Sequence, residues 1–307
     1  METTVRETIK NTTKKHLKEN NGLLFGQCLS AVGWVGGTVP ELTEKDGLVE
    51  LSMADVANGG IVAGAGLSKR RPIYVIRYQG FNWFNASIIL NYACKSKEIW
   101  DVPCPIFIRG IAMEGSIGPV AGSSQHSIYF KMPGIKIISP MTPKEYLIAY
   151  NDFMKNDDVM YVSEHRGSYG NTEELNDSIA DDLDLILFPI SITRFEAQKA
   201  KKELEKEGYK IGIANILWIK PFHIKKEWEK AVIKSKFGGI VLDDDYTQGV
   251  ASSIAFELMK KTKKNFEVMG LKNKSAGFSK KTDNLPPSCE EIVLKCKNII
   301  NNENKSK

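Results

Sequence analysis

The chain has 307 residues, of which 42% are hydrophobic and 26% charged, which is an ordinary globular composition. The length favours two domains, each large enough to bury its own core. The net charge is +5, and the lysines are spread along the chain instead of clustering on one element. We therefore expect a solvated surface and no binding of nucleic acid.

The sequence also bounds where the protein works. Residues 1–22 are polar and lack the apolar core of a secretory signal. No apolar run reaches the length of about 18 residues that a membrane-spanning helix needs, so we expect no contact with a membrane. The five cysteines are scattered and form no C-x-x-C pair, which argues against a disulfide framework or a zinc site. These features predict a cytoplasmic protein.

Strands and helices are predicted to alternate along the first half of the chain. A charged helix over 4–20 precedes a buried strand over 22–29 and a glycine-rich turn, GWVGG. Small residues at helical spacing predict a helix within 53–71 that packs very close to a neighbour, because each glycine in a helix costs about 1 kcal/mol relative to alanine. Further strands are predicted at 72–78, 103–110, 134–140 and 158–165, and helices at 84–98 and 142–156, the last with Thr142 as N-cap and Pro143 at its first position.

The α/β pattern restarts after a polar, acidic segment. We interpret 1–170 as the first domain, 171–182 as a linker and 183–307 as the second domain. Strands are predicted at 183–191, 209–219 and 237–245, and helices at 194–208, 227–235 and 249–261. This alternation predicts an α/β fold in which each domain has a mostly parallel sheet with helices on both faces.

Several stretches stand out in order along the chain: GLVELSMADVANGGIVAGAGLSKRRPIYVIRYQGF over 47–81, GSSQHSIYFKMPGIKIISP over 122–140 and VSEHRGSYG over 162–170. This ordered set resembles the β subunits of the thiamine-diphosphate-dependent 2-oxoacid dehydrogenases of the transketolase-like superfamily. Residues 47–81 resemble the family's pyrimidine-binding helix and the strand after it, and 122–140 resemble its Gln-His-Ser and Pro-Gly stretch. Residues 162–170 are similar to the segment that closes the first domain, while 197–222 and 238–258 resemble the transketolase C-terminal domain. The resemblance implies a pyrimidine-binding domain followed by a transketolase C-terminal-type domain.

The resemblance also implies a shared cofactor. In the family, thiamine diphosphate lies between two subunits, and the α-type subunit holds the diphosphate and Mg²⁺ through a Gly-Asp-Gly motif. This chain contains no Gly-Asp-Gly. The resemblance thus implies half of a cofactor site, no metal ligand in this chain, and inactivity without an α-type partner in a heterotetramer. In the dehydrogenase complexes a lipoyl acyltransferase core is a further partner.

Four residues take site positions by this resemblance. Asp55 stands where the family has a glutamate that hydrogen-bonds the pyrimidine ring, and His126 matches an active-site histidine that stabilises charge or shuttles a proton. Phe81 matches the aromatic residue on the pyrimidine face. Arg77 stands where some family members carry an apolar pocket residue, and we expect it to face a substrate carboxylate or to pair across the subunit interface. Asp55 and His126 are the predicted catalytic residues; Asp55, Phe81 and Arg77 are predicted to bind the cofactor.

Departures from the family pattern leave the reaction open. An aspartate is shorter than a glutamate by about 1.5 Å, one carbon–carbon bond, and misplacement on that scale can cost about 100-fold in rate. The family usually has two acids where Gln27 and Cys28 stand. Besides the dehydrogenase, we therefore consider half of a split transketolase-like carboligase acting on sugars or small aldehydes, and a catalytically degenerate scaffolding subunit.

One further resemblance concerns an ion. The loop after the helix that ends near Lys155 resembles a place where some relatives bind potassium through carbonyl oxygens and an acid. Asn156 and Asp158 fall there. The sequence does not decide whether this chain binds the ion.

Overall fold

The computed structural model describes residues 3–31, 33–114, 120–276 and 284–305. It divides into two compact units, Met1–Glu174 and Leu175–Lys307. The α/β fold class predicted from the sequence is confirmed in both units, since each contains a parallel sheet flanked by helices.

Six strands of the first unit form a parallel sheet in the order β2-β1-β3-β4-β6-β5. Their bounds are β1 Leu23–Gln27, β2 Leu48–Leu51, β3 Pro72–Ile76, β4 Phe107–Ala112, β5 Ile135–Ile138 and β6 Val159–His165. Strands β3, β4 and β6 are buried along their whole length, as expected for a sheet covered on both faces. The carboxyl ends of parallel strands meet at one edge, which is where open α/β sheets bind ligands.

The helices of this unit are α1 Val5–Glu19, α2 Gly33–Gly37, α3 Asp55–Leu67, α4 Asn82–Ile88, α5 Cys94–Trp100, α6 Ser127–Phe130 and α7 Pro143–Lys155, with short 3-10 turns at Glu44–Asp46, Gln79–Phe81 and Arg166–Ser168. A π-helical turn, Ile89–Ala93, joins α4 to α5. The predicted cap of α7 is confirmed: the Thr142 side chain accepts a hydrogen bond from the Glu145 amide, and Pro143 opens the helix.

Helix α3 has two different faces. Gly66 lies on the buried face, where a Cβ would be 2.8 Å from Cys104 Sγ, so this glycine permits the predicted close approach to a neighbour. Gly60 and Gly64 lie on the other face, where a Cβ would meet no atom of the described residues within 4 Å. Val56 and Leu67 are exposed and fall on that same face by their spacing.

Helix α2 is a turn of the opposite hand. Trp34 and Val35 have φ angles of 53° and 54°, and the flanking glycines are left-handed too. Val35 is nonetheless fully buried. Its carbonyl accepts a hydrogen bond from Thr38 Oγ1 at 2.9 Å, and Thr38 Oγ1 accepts one from Arg109 Nη2 at 2.9 Å. The core thus holds this turn in an unfavourable conformation.

Arg109 also anchors the centre of the sheet. It projects from β4 and forms a bidentate ion pair with Glu164 on β6, with N···O distances of 2.6 and 2.9 Å. Neither side chain is accessible to solvent beyond a 2% fraction. Tyr169 donates a further hydrogen bond to Glu164 at 2.8 Å. These contacts satisfy most of the polar groups that the pair brings into the core.

The second unit has a parallel four-stranded sheet in the order β11-β10-β7-β8. Its elements are β7 Leu185–Pro189, α8 Thr193–Lys206, β8 Ile211–Ile213, β9 Trp218–Lys220, α9 Lys226–Lys234, β10 Gly239–Tyr246, α10 Val250–Thr262, β11 Phe266–Leu271 and α11 Cys289–Lys305. Residues from α8, α11 and the sheet share one apolar core. Among the described helices, none has the length and apolar character needed to cross a membrane.

The predicted continuous strand over 209–219 is wrong. The chain forms two short strands, β8 and β9, because polar contacts hold the residues between them. Asn215 accepts a hydrogen bond from Arg194 Nε at 3.1 Å and donates one to the Asn176 carbonyl at 2.9 Å.

Candidate active site

A cavity of about 260 Å³ opens at the carboxyl end of β3 in the first unit. Four segments line it: the end of β1, the start of α3, the second half of β3 with the residues that follow it, and Val120. The lining residues are Gln27, Cys28, Met53, Asp55, Tyr74, Val75, Ile76, Arg77, Tyr78, Phe81 and Val120. The structure therefore brings three of the predicted site residues, Asp55, Arg77 and Phe81, to one cavity.

Asp55 is the first residue of α3 and is half-buried. Its Oδ1 accepts a hydrogen bond from Asn85 Nδ2 at 2.9 Å, and the same Nδ2 donates to the Phe81 carbonyl at 3.1 Å. The other side of the Asn85 amide accepts a 2.5 Å hydrogen bond from the Tyr74 hydroxyl. Asn85 is thus fixed in one orientation and ties the acid to the backbone of the aromatic residue.

Tyr74 secures this arrangement. Burial raises the pKa of Tyr74, and the nearby Asp55 carboxylate raises it further. The phenol therefore stays protonated and acts as a donor. With Tyr74 donating to its oxygen, the Asn85 amide must present its NH₂ group towards Asp55.

Aromatic rings form another wall of the cavity. The Tyr78 and Phe81 rings lie 6.4 Å apart between centroids at a 34° tilt. The Arg77 guanidinium carbon lies 5.1 Å from the centroid of the Tyr78 ring, within cation–π range. A flat ring entering the cavity would find apolar surface from Phe81 and charge from Arg77 and Asp55.

Two buried donors of the cavity lining lack an acceptor within the part of the chain that the structure describes. Gln27 Nε2 and Arg77 Nε have no hydrogen-bond partner among the residues that the structure describes. A buried unsatisfied donor costs about 1–3 kcal/mol, more when it is charged. A ligand with acceptor atoms would remove that cost, so the cavity is suited to a polar heterocycle or an anionic substrate group.

His126 occupies a different position. It is fully buried directly before α6 and is not among the residues that line the cavity. Its Nδ1 shares a 3.1 Å hydrogen bond with Ser163 Oγ on β6, and Ser163 Oγ also accepts from Gln79 Nε2 at 2.9 Å. His126 is therefore linked through Ser163 to the Gln79–Phe81 turn, and its catalytic role stays a prediction.

The loop that carries His126 is fastened to the aromatic wall. The backbone N–H of Gln125 donates a hydrogen bond to Gln79 Oε1 at 2.6 Å. Trp83 Nε1 donates one to the side-chain oxygen, Oε1, of Gln125 at 2.9 Å. Gly80 allows the approach, because a Cβ there would lie 2.6 Å from the Val120 carbonyl oxygen. These contacts couple the histidine loop to the segment that positions Phe81.

Comparison with known families places this fold. The family model described as the transketolase pyrimidine-binding domain matches residues 2–172. The chain belongs to this family, whose match contains every residue of the cavity.

Two curated relatives are similar over most of the chain. The pyruvate dehydrogenase E1 component subunit beta of Staphylococcus epidermidis and that of Bacillus subtilis are each 24% identical over 277 residues, covering 83% of this chain and 84% of the relative. The likeness to 2-oxoacid dehydrogenase β subunits predicted from the sequence is confirmed. A solved structure described as a split gene transketolase, inactive beta4 tetramer, aligns with a TM-score of 0.73 and 13% identity over 98% of this chain and 99% of that chain, which shows a shared fold.

Proposed function

We propose that this chain is the β-type subunit of a thiamine-diphosphate-dependent 2-oxoacid dehydrogenase or decarboxylase and supplies the aminopyrimidine half of a cofactor site shared with an α-type subunit. The observation that carries the proposal is the cavity that joins Asp55, Phe81 and two unsatisfied donors. An aminopyrimidine ring offers a flat face for Phe81 and ring nitrogens for hydrogen bonding, so the residues present fit the group. When bound, the cofactor supplies an electron sink for breaking a carbon–carbon bond next to a carbonyl.

Each residue has a specific task in this proposal. Asp55 holds a proton on a ring nitrogen by accepting a hydrogen bond, and Asn85 keeps its carboxylate in place. Phe81 covers the face of the ring. Arg77 and Gln27 donate hydrogen bonds to acceptor atoms of the substrate or the cofactor. The Mg²⁺ and the diphosphate are assigned to the partner, as the likeness to the family implies.

An exposed apolar surface supports the need for a partner. Besides the open face of α3, it includes Trp83 and Phe84 of α4 and Tyr92 of the π turn, which are 68%, 53% and 54% exposed. Large apolar side chains that are exposed on two neighbouring helices, α3 and α4, favour a protein–protein contact. Trp83 binds the histidine loop through Gln125, so a partner on this surface would contact the elements that shape the site.

A split transketolase-like carboligase is the second candidate. Gln27 and Cys28 line the cavity where the likeness implies a pair of acids, and Arg77 adds a positive charge. This lining favours donors over carboxylates, which suits a substrate with several acceptor oxygens. The fold shared with the split transketolase is compatible with this candidate.

The proposal is tested by calorimetric titration of thiamine diphosphate and Mg²⁺. The chain is coexpressed with its candidate α-type protein, and the complex is titrated beside the chain alone. We expect tight binding only in the complex. Asp55→Ala should weaken it by about 10- to 100-fold, because a hydrogen bond to a charged group contributes about 1.5–3 kcal/mol. Glu44→Ala, an exposed acid on the 3-10 turn of the same unit, serves as the control.

The other outcomes separate the alternatives. A well-formed complex that binds no cofactor contradicts the proposal and favours the scaffolding subunit. Equal affinity of the wild type, Asp55→Glu and Asp55→Ala for the cofactor would also contradict the proposed role of Asp55 and favour the scaffolding subunit. If the cofactor binds, 2-oxoacids and ketose sugars are compared as substrates. Turnover of sugars alone would contradict the dehydrogenase proposal and support the carboligase.

A further inference from the structure

The carboxyl end of α7 is rich in oxygen atoms. It presents the backbone carbonyls of Phe153 and Asn156, followed by the carboxylates of Asp157 and Asp158. The negative end of the helix dipole adds to this field. Carbonyl and carboxylate oxygens are the ligands that hard cations prefer, and this is the loop for which the resemblance implies potassium.

Arg71 already donates hydrogen bonds to both of these carbonyl oxygens. Its Nη1 donates to Phe153 O at 2.7 Å and to Asn156 O at 2.8 Å. Its Nη2 forms an ion pair with the Asp157 carboxylate. The guanidinium carbon also lies 5.5 Å from the centroid of the Phe153 ring. One planar cation thereby binds three oxygens of the loop and one aromatic face.

Two lysines form ion pairs with the remaining carboxylate, that of Asp158. Lys97 Nζ and Lys136 Nζ lie 3.2 Å from the two oxygens of Asp158, and Lys136 also lies 2.9 Å from Asp152. Burial opposes ionisation of Asp158, but hydrogen bonds from both lysines outweigh it and lower the pKa of the carboxyl. Hydrogen bonds from the two acids likewise raise the pKa of Lys136 against the effect of burial. Asp158 and Lys136 are therefore both charged at neutral pH.

The charges of this cluster balance without an added ion. Three cations, from Arg71, Lys97 and Lys136, face three carboxylates, from Asp152, Asp157 and Asp158. A metal ion would have to displace the guanidinium from the two carbonyls and would leave an uncompensated positive charge. The residues present therefore do not fit a bound potassium ion.

We propose that Arg71, Lys97 and Lys136 take the place of the monovalent cation at this loop, so that the chain folds and assembles independently of potassium. This inference is independent of the reaction proposed above. The loop then needs no bound metal ion, because side chains of the same unit supply the positive charges: Arg71 directly before β3, Lys97 in α5 and Lys136 in β5.

The test is the thermal unfolding midpoint of the full chain in equal concentrations of potassium, sodium and tetramethylammonium chloride. We expect the same midpoint in all three salts. A bound ion whose concentration in solution is about 100 times its dissociation constant would raise the unfolding midpoint by several degrees. A midpoint that rises in potassium but not in the other two salts overturns the proposal.

Variants test the replacement itself. Arg71→Met removes the guanidinium and keeps an apolar stem, so we expect a lower midpoint that potassium partly restores and tetramethylammonium does not. The matched control is Arg70→Met, since Arg70 donates instead to the Asn21 carbonyl at 3.2 and 2.9 Å and should show no response to potassium. If Arg71→Met does not fold, the half-exposed Lys97→Met is used. A midpoint lowered equally in all three salts in these variants argues against a cation position.

Discussion

The Nδ2 atom of Asn85 lies 2.9 Å from Oδ1 of Asp55, and Asn85 is locked in turn by the Tyr74 hydroxyl. The carboxylate therefore has a fixed position before any ligand arrives. Preorganisation of this kind is what a hydrogen-bonding acid in a binding site requires.

We therefore predict that Asn85→Ala weakens binding of thiamine diphosphate to the assembled complex by about 10-fold or more, because a positioned hydrogen bond to a carboxylate contributes about 1.5–3 kcal/mol. The measurement is calorimetric titration. Asn82→Ala is the control: Asn82 is also buried but donates to Tyr161 at 2.7 Å, so its loss should lower stability and leave the affinity unchanged. Equal loss of affinity in both variants would mean that Asn85 acts only through the fold.

The two faces of α3 give a second prediction. Gly64→Ala should stabilise the isolated chain by about 0.5–1 kcal/mol, since alanine is the better helix former and its methyl group meets open space. Gly66→Ala should destabilise it, because the new Cβ would lie 2.8 Å from Cys104 Sγ. Urea denaturation measures both changes. If the open face binds the partner, Gly64→Ala should also weaken assembly, which analytical ultracentrifugation of the mixture detects.

The Arg109–Glu164 pair gives a third prediction. Glu164→Gln should lower the free energy of unfolding by about 3–5 kcal/mol, because it leaves a buried guanidinium without its counter-charge. Glu19→Gln, which removes the exposed partner of Lys15, should cost less than about 1 kcal/mol. Both are measured by urea denaturation. A cost for Glu164→Gln no larger than that of the surface control would refute the structural role of the pair.

The fourth prediction concerns pH. His16 is buried in α1, its Nδ1 lies 2.9 Å from the Tyr150 hydroxyl, and its Nε2 lies 2.7 Å from the Arg71 carbonyl. Burial lowers the pKa of His16, although the bond to Arg71 acts in the opposite direction. The folded chain thus keeps the imidazole neutral at a pH where the unfolded chain, with an ordinary pKa of about 6.5, takes up a proton.

Stability from His16 is therefore fully present above about pH 6.5 and is lost as the pH falls towards the lower pKa of the folded state, by up to about 1.4 kcal/mol per pH unit. The measurement is the free energy of unfolding from pH 8 to pH 5, compared with His16→Gln. The difference between the two chains should shrink as the pH falls. Parallel curves would show that His16 does not titrate with this sign.

Most of the fold follows from local signals in the sequence. The predicted strands at 72–78 and 158–165 contain β3 and β6, and the one at 103–110 overlaps β4 but ends two residues short of it, because buried parallel strands are continuous apolar runs. Weaker signals were missed. Strand β2 has only half-buried or exposed residues after Leu48, and α11 was not predicted at all.

The candidate site shows the same division. Asp55, Arg77 and Phe81 were found through family likeness, and they meet at one cavity. Asn85 was missed because nothing local distinguishes an asparagine inside a helix from a surface residue. Its importance depends on the packing of α3 against α4, which brings together residues 30 positions apart. His126 shows the opposite case: it lies in a recognisable Gln-His-Ser motif, but it is not among the residues that line the cavity.

The left-handed turn at Gly33–Gly37 has a consequence for local opening. Trp34 and Val35 each cost about 1–2 kcal/mol in this conformation, while burying the Val35 side chain returns about 1.5–3 kcal/mol. The turn is thus nearly balanced, and the hydrogen bonds through Thr38, together with the one that the Val39 amide donates to the Trp34 carbonyl at 3.0 Å, favour the closed form. Its amide protons should exchange with solvent long before those of β4, and a protease added to the native chain should cut here first.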